Sequence, residues 1–395
     1  MTPKTTRVWL WLHKWSSLIC TVFMLLLCLT GLPLIFHHEL GHWLGTEMQA
    51  PPLPAGVAAR AVTLDEAVAV AQRVHPGRVA QYASPEEDSD DLWRVTMAPS
   101  PAPTDDFRLV VVDARTGDYL GTPPLHSGFL WIMFKLHVDL FAGLAGKLFL
   151  GLMGVLLLVS LVSGTVLYAP FMRKLAFGTV RRGSGRPASR QEDDRARKQR
   201  AAQRRLKWLD LHNLLGIVLL AWLFVVGGTG VINTWADLLV KYWQHDQLSA
   251  YLAPYKGQPA VPQGERAPIH QALHAAQEAV PDTRLYFMAF PGTAFASPHH
   301  YVFFMRGNTP LTAHLPRPVL VDARTAQVTA APRLPWYLTA LLMSRPLHFG
   351  DYGGWPMQIL WALLDVLSII VLGSGLYLWL KKGNKTAKAG SVQRR

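Results

Sequence analysis

The chain has 395 residues, of which half are hydrophobic and only 16% are charged, and its formal net charge is +13. Soluble domains usually contain about 25% charged residues, so this composition excludes an ordinary soluble domain. The positive charge does not indicate nucleic-acid binding, because three segments (4–14, 173–207 and 381–395) hold 22 of the 39 Lys and Arg residues and 3 of the 26 Asp and Glu residues.

Four stretches, 15–36, 148–170, 214–232 and 355–380, are apolar over about 20 residues each. Each is long enough to cross a hydrocarbon core of about 30 Å as a helix rising about 1.5 Å per residue. With four spans, the three basic segments lie on one side of the membrane, and the positive-inside rule makes that side cytoplasmic. The sequence therefore predicts a multi-pass protein with both termini in the cytoplasm. The first apolar stretch imitates a signal peptide but is expected to be a retained anchor.

The segments between the first and second spans and between the third and fourth spans show the same order of elements. Thr63 and Pro268 each precede a short helical pattern. Alternating segments typical of strands follow at 78–83, 92–97 and 108–113, and again at 284–290, 300–305 and 319–322. The phrase Val112-Asp113-Ala114-Arg115-Thr116 recurs as Val321-Asp322-Ala323-Arg324-Thr325. We infer an internal duplication of a unit with the order span, outer α+β domain, span.

Four histidines share regular spacings to a Thr-Gly or Ser-Gly pair. His13 and His212 each lie 18 residues before the glycine of a Thr-Gly pair, and His137 and His348 each lie 27 residues before the glycine of a Ser-Gly pair. A single histidine at a membrane boundary is more simply explained as an interfacial residue. The paired spacing favours two bis-histidine haems, His13 with His212 near the cytoplasmic face and His137 with His348 near the outer face.

Other side chains leave alternatives open. His37, His38 and His42 could replace an outer ligand, and His38 with His42 could hold a surface metal, although an interfacial role is simpler. His299 and His300 are expected in a solvated loop. Asp365 lies in the middle of the last span, where it is either a proton site or a carboxylate bonded to a neighbouring Ser or Thr. Cys20 and Cys28 lie within the first span and are expected to act as small apolar residues.

Several motifs together resemble the PepSY-associated transmembrane family over roughly residues 7–380. They are the Leu-His pairs, Leu29-Thr30-Gly31 followed by Phe36 and Glu39, Val112-Asp113-Ala114-Arg115-Thr116-Gly117, and Leu-His followed by Ser-Gly-x-x-Leu. Within that family the chain is similar to di-haem siderophore reductases of the bacterial inner membrane. The second copy departs from the pattern, because Ala326 stands where the first has Gly117, which is expected to loosen one turn.

This resemblance implies a reductase with two haem b groups that reduces a ferric siderophore in the periplasm and releases its iron. The implied partners are the ferric siderophore, an electron donor that is a quinol or a cytoplasmic reductase, and membrane lipid, with no nucleic acid. One alternative is a haem b electron-transfer subunit serving another redox partner. Another is a membrane scaffold without enzymatic activity whose PepSY-like domains modulate proteases.

The predicted fold is a four-helix transmembrane bundle carrying two periplasmic PepSY-like α+β domains. The boundaries that follow from the sequence divide the chain into eight segments. They are the cytoplasmic arm with helix 1 (1–45), PepSY-like domain 1 (46–124), a juxtamembrane segment with helix 2 (125–172), the basic cytoplasmic loop (173–205), helix 3 (206–244), PepSY-like domain 2 (245–338), a juxtamembrane segment with helix 4 (339–382) and the cytoplasmic tail (383–395).

Overall fold

The computed structural model describes residues 1–53, 55–56, 58–86, 90–172, 176–181, 194–309, 312–350 and 352–392. The chain forms two compact units. The membrane unit consists of Met1–Phe36, Ile132–Trp235 and Ser344–Arg395, and the sheet unit consists of His37–Trp131 and Ala236–Met343. In the basic loop predicted at 173–205, residues 173–175 and 182–193 lie outside the described residues, and the chain is helical over Asp194–Val218.

The membrane unit is built mainly from five helices. They are α1 (Pro3–Ile35), α5 (Gly143–Met172), α6 (Asp194–Val218), α7 (Leu220–Thr234) and α12 (Gly354–Val392). Two shorter helices, α4 (Gly128–Val138) and α11 (Trp336–Phe349), contribute their C-terminal parts. Among the described residues, three helices are long and apolar enough to cross a membrane, and the pair α6 and α7 makes a fourth if it counts as one bent span.

The third predicted span is broken. Helices α6 and α7 meet at an angle of 66° around Leu219, where the sequence suggested one continuous apolar helix. Apolar periodicity reports the length of a hydrophobic stretch and carries no direct signal for a bend in it. In this stretch, neither proline nor a charged residue marks the break.

Helices α5 and α7 approach closely at two small residues, Gly151 and Gly154. A Cβ atom at Gly151 would lie 2.4 Å from Oγ1 of Thr234, and one at Gly154 would lie 2.7 Å from Cγ2 of Val231. Helix packing in a membrane depends on such close contacts because lipid offers no hydrophobic driving force between helices. Any larger side chain at Gly151 would therefore push the two helices apart.

The sheet unit contains one antiparallel sheet of eight strands in the order β4-β3-β2-β1-β5-β6-β7-β8. The strands are β1 (Val79–Pro85), β2 (Leu92–Ala98), β3 (Arg108–Asp113), β4 (Tyr119–Gly121), β5 (Thr283–Ala289), β6 (His300–Gly307), β7 (Arg317–Asp322) and β8 (Val328–Ala330). The six predicted strand segments are confirmed. The helices of this unit are α2 (His37–Trp43), α3 (Leu64–Val74), α8 (Ala236–Trp243), α9 (Ser249–Leu252) and α10 (Ile269–Ala279).

The two predicted outer domains share this sheet and one hydrophobic core. Strands β1 and β5 pair antiparallel, with Tyr82 opposite Ala289 and Ala83 opposite Met288. Buried side chains from both halves, such as Val95, Met97 and Phe303, form a single cluster under α3 and α10. Sequence periodicity finds each strand but does not reveal which strand of another domain it will pair with.

The start of helix α10 is capped by a residue from the other half of the sheet unit. Helix α3 begins with its own capping box, formed by Thr63 and Glu66. Helix α10 follows Pro268, which offers no side-chain cap. Instead, Asp65 accepts hydrogen bonds from the backbone N–H groups of Ile269 and His270 at 2.6 and 2.7 Å. Because unpaired N–H groups at a helix start need acceptors, this contact links the two halves.

The recurring Val-Asp-Ala-Arg-Thr phrase makes the same turn in both halves. The N–H of Gly117 donates to the carbonyl of Asp113, and the N–H of Ala326 donates to the carbonyl of Asp322. Both turn residues are in the left-handed region, with φ of 85° and 56°. The expectation that Ala326 loosens its turn is therefore wrong, because the alanine adopts the conformation that glycine favours.

Candidate functional site

The four histidines with regular spacing meet in two pairs inside the membrane unit. The ring centroids of His13 and His212 are 6.5 Å apart with an interplanar angle of 67°. Those of His137 and His348 are 6.2 Å apart with an angle of 61°. The helices that carry the rings are α1 and α6 for the first pair and α4 and α11 for the second. We call these the inner pair and the outer pair.

Each imidazole docks onto a hydroxyl–glycine motif, meaning a Ser or Thr followed by Gly, on another helix. The ring Nδ1 lies 2.9–3.1 Å from the backbone carbonyl oxygen four residues before the glycine. It lies 2.9–3.3 Å from the hydroxyl oxygen of the Ser or Thr. The sets are Ser160, Ser163 and Gly164 for His13; Val371, Ser374 and Gly375 for His212; Leu27, Thr30 and Gly31 for His137; and Val226, Thr229 and Gly230 for His348.

The backbone carbonyl oxygens fix the tautomer of the imidazoles. Each hydroxyl also lies within hydrogen-bond distance of a backbone carbonyl of its own helix, as Thr229 Oγ1 does with Val225 at 2.6 Å and Ser374 Oγ with Val371 at 2.6 Å. A carbonyl oxygen only accepts, so it requires a proton on Nδ1 of the ring that contacts it. With Nδ1 protonated, the neutral imidazole keeps its lone pair on Nε2, which is the arrangement of histidines that bind metals.

The glycines of these motifs leave room for the rings. A Cβ atom at Gly31, Gly164 or Gly230 would lie 3.0–3.1 Å from Cε1 of the docked histidine, closer than an ordinary contact. At Gly375 the distance to His212 would be 3.4 Å, which is an ordinary van der Waals contact. A side chain at the first three positions would therefore press on the imidazole and displace it.

Both pairs fit two axial ligands of one metal centre. Two imidazoles that bind one ion through nitrogen atoms at about 2.0–2.1 Å have ring centroids roughly 6 Å apart. The observed separations of 6.5 and 6.2 Å match this spacing. His13 and Gly31 are 18 residues apart on α1, which corresponds to about 27 Å along a straight helix.

The histidine and the hydroxyl–glycine motif that each regular spacing links in sequence do not bind each other. His13 shares α1 with Thr30 and Gly31 but docks on Ser163 and Gly164 of α5. Thr30 and Gly31 instead hold His137, which comes from α4. Helix α1 thus supplies a ring to one partner and a docking motif to another. The sequence reveals the histidines and the hydroxyl–glycine motifs. It does not reveal which histidine binds which motif.

His37, His38 and His42, the possible alternative ligands, lie on α2 in the sheet unit. His38 Nδ1 lies 3.1 Å from Glu47, and His42 Nε2 lies 3.6 Å from the same carboxylate, while His37 stacks on His38. A Cβ atom at Gly41 would lie 2.9 Å from Cγ of Glu47, so the glycine lets the carboxylate lie across the helix. No three His, Cys, Asp or Glu side chains in the described ranges are grouped to hold a metal ion, which counts against a surface metal here.

The charge on Glu47 is stabilised by this arrangement. Partial burial acts to raise its pKa, but the hydrogen bond from His38 and the charges of His38, His42 and Arg94 outweigh burial and hold the pKa below its usual value. The loop that places Glu47 is fixed by its backbone N–H, which donates to the carbonyl of Gly41 at 3.2 Å. We therefore describe these histidines as partners of a carboxylate.

Asp365 is buried in the middle of α12 and is 8% exposed. Its carboxylate lies beside the thiol of Cys28 on α1, whereas one of the two alternatives drawn from the sequence expected a neighbouring Ser or Thr. The other oxygen, Oδ2, has no hydrogen-bond partner among the described residues. Cys20 and Cys28 are both free, and Cys20 packs with Met24 and Met153 as an apolar residue.

Two further polar features were not found from the sequence. Asp210, two residues before His212, is fully buried and accepts hydrogen bonds from the backbone and guanidinium of Arg181. The expectation that His299 and His300 are solvated is wrong, because they are 6% and 0% exposed. His300 opens strand β6, where Ser297 and Tyr255 enclose its ring. Burial lowers the pKa of His300 to about 4, against the charge of Asp322.

The fold and the site define a membrane protein in which long apolar helices hold two pairs of facing imidazoles, joined in sequence to a unit with an antiparallel sheet. Comparison with known proteins agrees with this class. The chain matches the family described as PepSY-associated TM region over residues 10–382. It therefore belongs to that family.

A relative in Pseudomonas aeruginosa, uncharacterized protein PA4219, is 25% identical over 268 residues. The aligned region covers 64% of this chain and 63% of that relative, so a little less than two thirds of the relative's length is matched. The similarity identifies a related membrane protein, and its name carries no activity.

Proposed function

We propose that this protein is a di-haem reductase of the bacterial inner membrane that reduces ferric siderophores in the periplasm. The observation that carries the proposal is the pair of imidazole couples at 6.5 and 6.2 Å, each ring with Nδ1 bound to a carbonyl. His13 and His212 would hold one haem b, and His137 and His348 would hold the other. A bis-histidine haem supplies one-electron transfer and offers no open iron position for oxygen.

The residues around each pair hold the imidazoles in fixed orientations, which favours electron transfer. Each Nδ1–H is held by a carbonyl and a hydroxyl on a neighbouring helix, which fixes the ring orientation. Such outer hydrogen bonds also raise the basicity of the ligating nitrogen and so help to set the redox potential. Glycine beside each ring allows the helix backbone to close over it and keep water out.

The proposed topology follows from charge and from the repeated element order. We place the basic segments and both termini in the cytoplasm and the sheet unit in the periplasm. We infer that the chain arose by duplication of a helix–domain–helix unit, because both halves of the sheet unit contain a helix followed by four strands in the same order. The four spans, with α6 and α7 as one bent span, would then form the bundle.

The substrate class is the one that the resemblance to di-haem siderophore reductases implies, and the chemistry of iron is consistent with it. Siderophores that use oxygen donors bind ferric iron tightly, and reduction to the softer ferrous ion of lower charge weakens that binding. Electrons would come from a quinol or a cytoplasmic reductase. The distance of about 27 Å between His13 and Gly31 along α1 separates one metal centre near each face, which suits transfer across the bilayer.

The first test is haem content in the purified full-length protein. We expect b-type bands in the reduced-minus-oxidised spectrum and two haems per chain by pyridine haemochrome. His13→Ala and His348→Ala should each retain one haem. His274→Ala, an exposed histidine of the sheet unit paired only with Glu278, should retain two. Absence of b-type bands would reject the haem proposal and favour the scaffold alternative.

The second test addresses the substrate. The reduced protein, mixed with a ferric siderophore under anaerobic conditions, should be reoxidised faster than by a soluble electron acceptor of similar potential. Release of ferrous iron, followed with a ferrous chelator, should match the electrons lost by the haems. Equal or slower reoxidation by every siderophore tried would leave a haem b protein that serves a different redox partner.

A further inference from the structure

Asp365 is the one acidic side chain in the middle of α12. Its carboxylate has fewer hydrogen-bond donors around it than it can accept from. The described residues provide the Cys28 thiol, which is a weak donor, and leave Oδ2 without a partner. The residue is 92% buried within a helix that meets the criteria for a membrane span. Buried polar groups in proteins are nearly always paired. An acid inside a membrane is energetically costly, so its presence there indicates a functional role.

Asp365 lies near residues that contact the outer pair, both on α1 and on its own helix α12. On α1, its partner Cys28 directly follows Leu27, whose carbonyl accepts the Nδ1–H of His137 at 3.1 Å. On α12, Trp361 lies one turn before Asp365 and donates its Nε1–H to the carbonyl of His348 at 3.2 Å.

The inner pair is further away along the same helix. Ser374, which docks His212, follows Asp365 by nine residues, or about 13 Å along the helix. The carboxylate is therefore placed at the level of the outer pair.

We propose that Asp365 binds a proton when the haem held by His137 and His348 is reduced and releases it when that haem is oxidised. This inference rests on the proposed function. When a haem held there gains one electron, which comes originally from a quinol, the Asp365 carboxylate would take one proton and become a neutral acid. On oxidation by the ferric chelate the electron leaves and the proton is released.

The physical reason is charge balance in a medium of low dielectric constant. A ferric centre carries one more positive charge than a ferrous centre, so an ionised carboxylate nearby favours the ferric form. When the electron arrives, the negative charge on Asp365 loses its compensation and binding a proton becomes favourable. The proton thereby offsets the added electron, and the outer haem becomes easier to reduce as the pH falls.

Other titratable groups face this region, but they would not produce the same pH dependence of haem reduction. The imidazoles of His137 and His348 use Nδ1–H for the docking bond and Nε2 for the iron, which leaves neither nitrogen free to titrate. Lys135 and Asp139, on either side of His137, form an ion pair with each other. Cys28 on α1 supplies the hydrogen that the carboxylate accepts.

The test is a potentiometric titration of the full-length haem-loaded protein at pH 6, 7 and 8. In the wild-type protein, the midpoint of the haem that is lost in His348→Ala should fall as the pH rises, by up to about 59 mV per tenfold change in proton concentration. Asp365→Asn should show a midpoint independent of pH, and Asp365→Glu should restore the dependence. Ser368→Ala, a buried position three residues further along α12, should behave as wild type.

A second measurement uses only the wild-type protein, so it does not depend on whether the variants bind haem. Infrared difference spectra of the wild type, reduced minus oxidised, should show a protonated carboxyl band on reduction that shifts when the solvent is deuterated. An unchanged pH dependence in Asp365→Asn, or no carboxyl band, would overturn this inference while leaving the di-haem proposal intact. A wild-type protein without haem would instead overturn the proposed function, and this inference with it.

Discussion

Gly31 lies directly against the imidazole of His137, and a Cβ atom added to it would be 3.0 Å from the ring Cε1. The contact joins helix α1 to helix α4, and it repeats at Gly164 with His13 and at Gly230 with His348. In each case the neighbouring hydroxyl holds the same ring. The glycine and the hydroxyl therefore act together, one by giving space and the other by fixing the orientation.

Replacing Gly31 by alanine should displace His137. Overpacking of this kind costs about 1–3 kcal/mol, so we expect the outer haem to bind about 5- to 150-fold more weakly in Gly31→Ala, while the inner haem is retained. The measurement is haem occupancy during titration of the haem-depleted protein. Gly228→Ala is the matched control, because a Cβ there meets no described atom within 4 Å. Equal loss in both variants would show that general helix packing is the cause.

Replacing Asp65 by alanine should loosen the start of α10. The change removes an acceptor from two backbone N–H groups, those of Ile269 and His270, and loss of a helix cap typically costs about 1–2 kcal/mol. We expect faster hydrogen exchange at these two amides and a lower unfolding midpoint. Glu278→Ala, which removes an exposed partner of His274, should change stability by less than about 0.5 kcal/mol. Unchanged exchange at Ile269 would contradict the role of Asp65.

Replacing Arg181 by alanine should leave the buried carboxylate of Asp210 with fewer donors. Arg181 donates from Nε at 2.9 Å and from its backbone N–H at 3.0 Å. A buried charge without its partner costs about 2–3 kcal/mol, so we expect a clear fall in the free energy of unfolding. Arg60→Ala breaks an exposed pair with Glu66 and should cost about 1 kcal/mol or less. Similar effects in both variants would argue against a special role for the Arg181 pair.

His300 should make the sheet unit less stable in acid. Its pKa is about 4 in the folded protein because burial disfavours the charged ring, whereas an exposed histidine has a pKa of about 6.5. The folded state therefore binds the proton less readily than the unfolded state, and stability falls as the pH drops from about 6.5 to about 4. Below that range no further loss arises from this group.

The measurement is the denaturation midpoint at pH 7, 5.5 and 4.5 for the wild type and His300→Gln. We expect the wild type to lose about 1–3 kcal/mol more than the variant over this range. The comparison between proteins is needed because Asp113 and Glu47, whose pKa values are lowered in the fold, also lose stability in acid. His274→Gln, at an exposed position, should follow the wild type, and parallel curves for all three proteins would refute the expectation.

Ala326→Gly should stabilise the protein. The alanine is held at φ 56°, a conformation that costs an L-residue about 1–2 kcal/mol and costs glycine little. Part of that gain is offset by the greater freedom of glycine in the unfolded chain, so we expect about 1 kcal/mol and a small rise in melting temperature. Ala323→Gly, at a buried position with ordinary backbone angles, should destabilise instead. A loss of stability in Ala326→Gly would show that the methyl group packs productively.

The sequence carried enough information for the local elements. Helix α3 begins after Thr63 with its capping box, as the pattern of Thr63 and Glu66 predicts. Strand β3 spans Arg108–Asp113, as the alternation of side chains indicates. These features depend on residues a few positions apart, and the physical rules that govern them act over the same range.

Features that depend on distant residues were not accessible in the same way. The pairing of Tyr82 with Ala289 and the docking of His13 on Ser163 join residues more than 100 positions apart. The bend at Leu219 leaves no mark in the apolar pattern. The four histidines were recognised because their spacing repeats, but the partner of each docking motif depends on which helices lie next to each other.

The pairing of β1 with β5 has a practical consequence for anyone who wishes to produce the halves separately. Within the sheet, the outermost strands are β4 and β8, each only three residues long. Cutting between the halves would instead expose β1 and β5, each seven residues long. Long open strands recruit other chains and promote aggregation, so a fragment carrying one half should self-associate unless both are synthesised together.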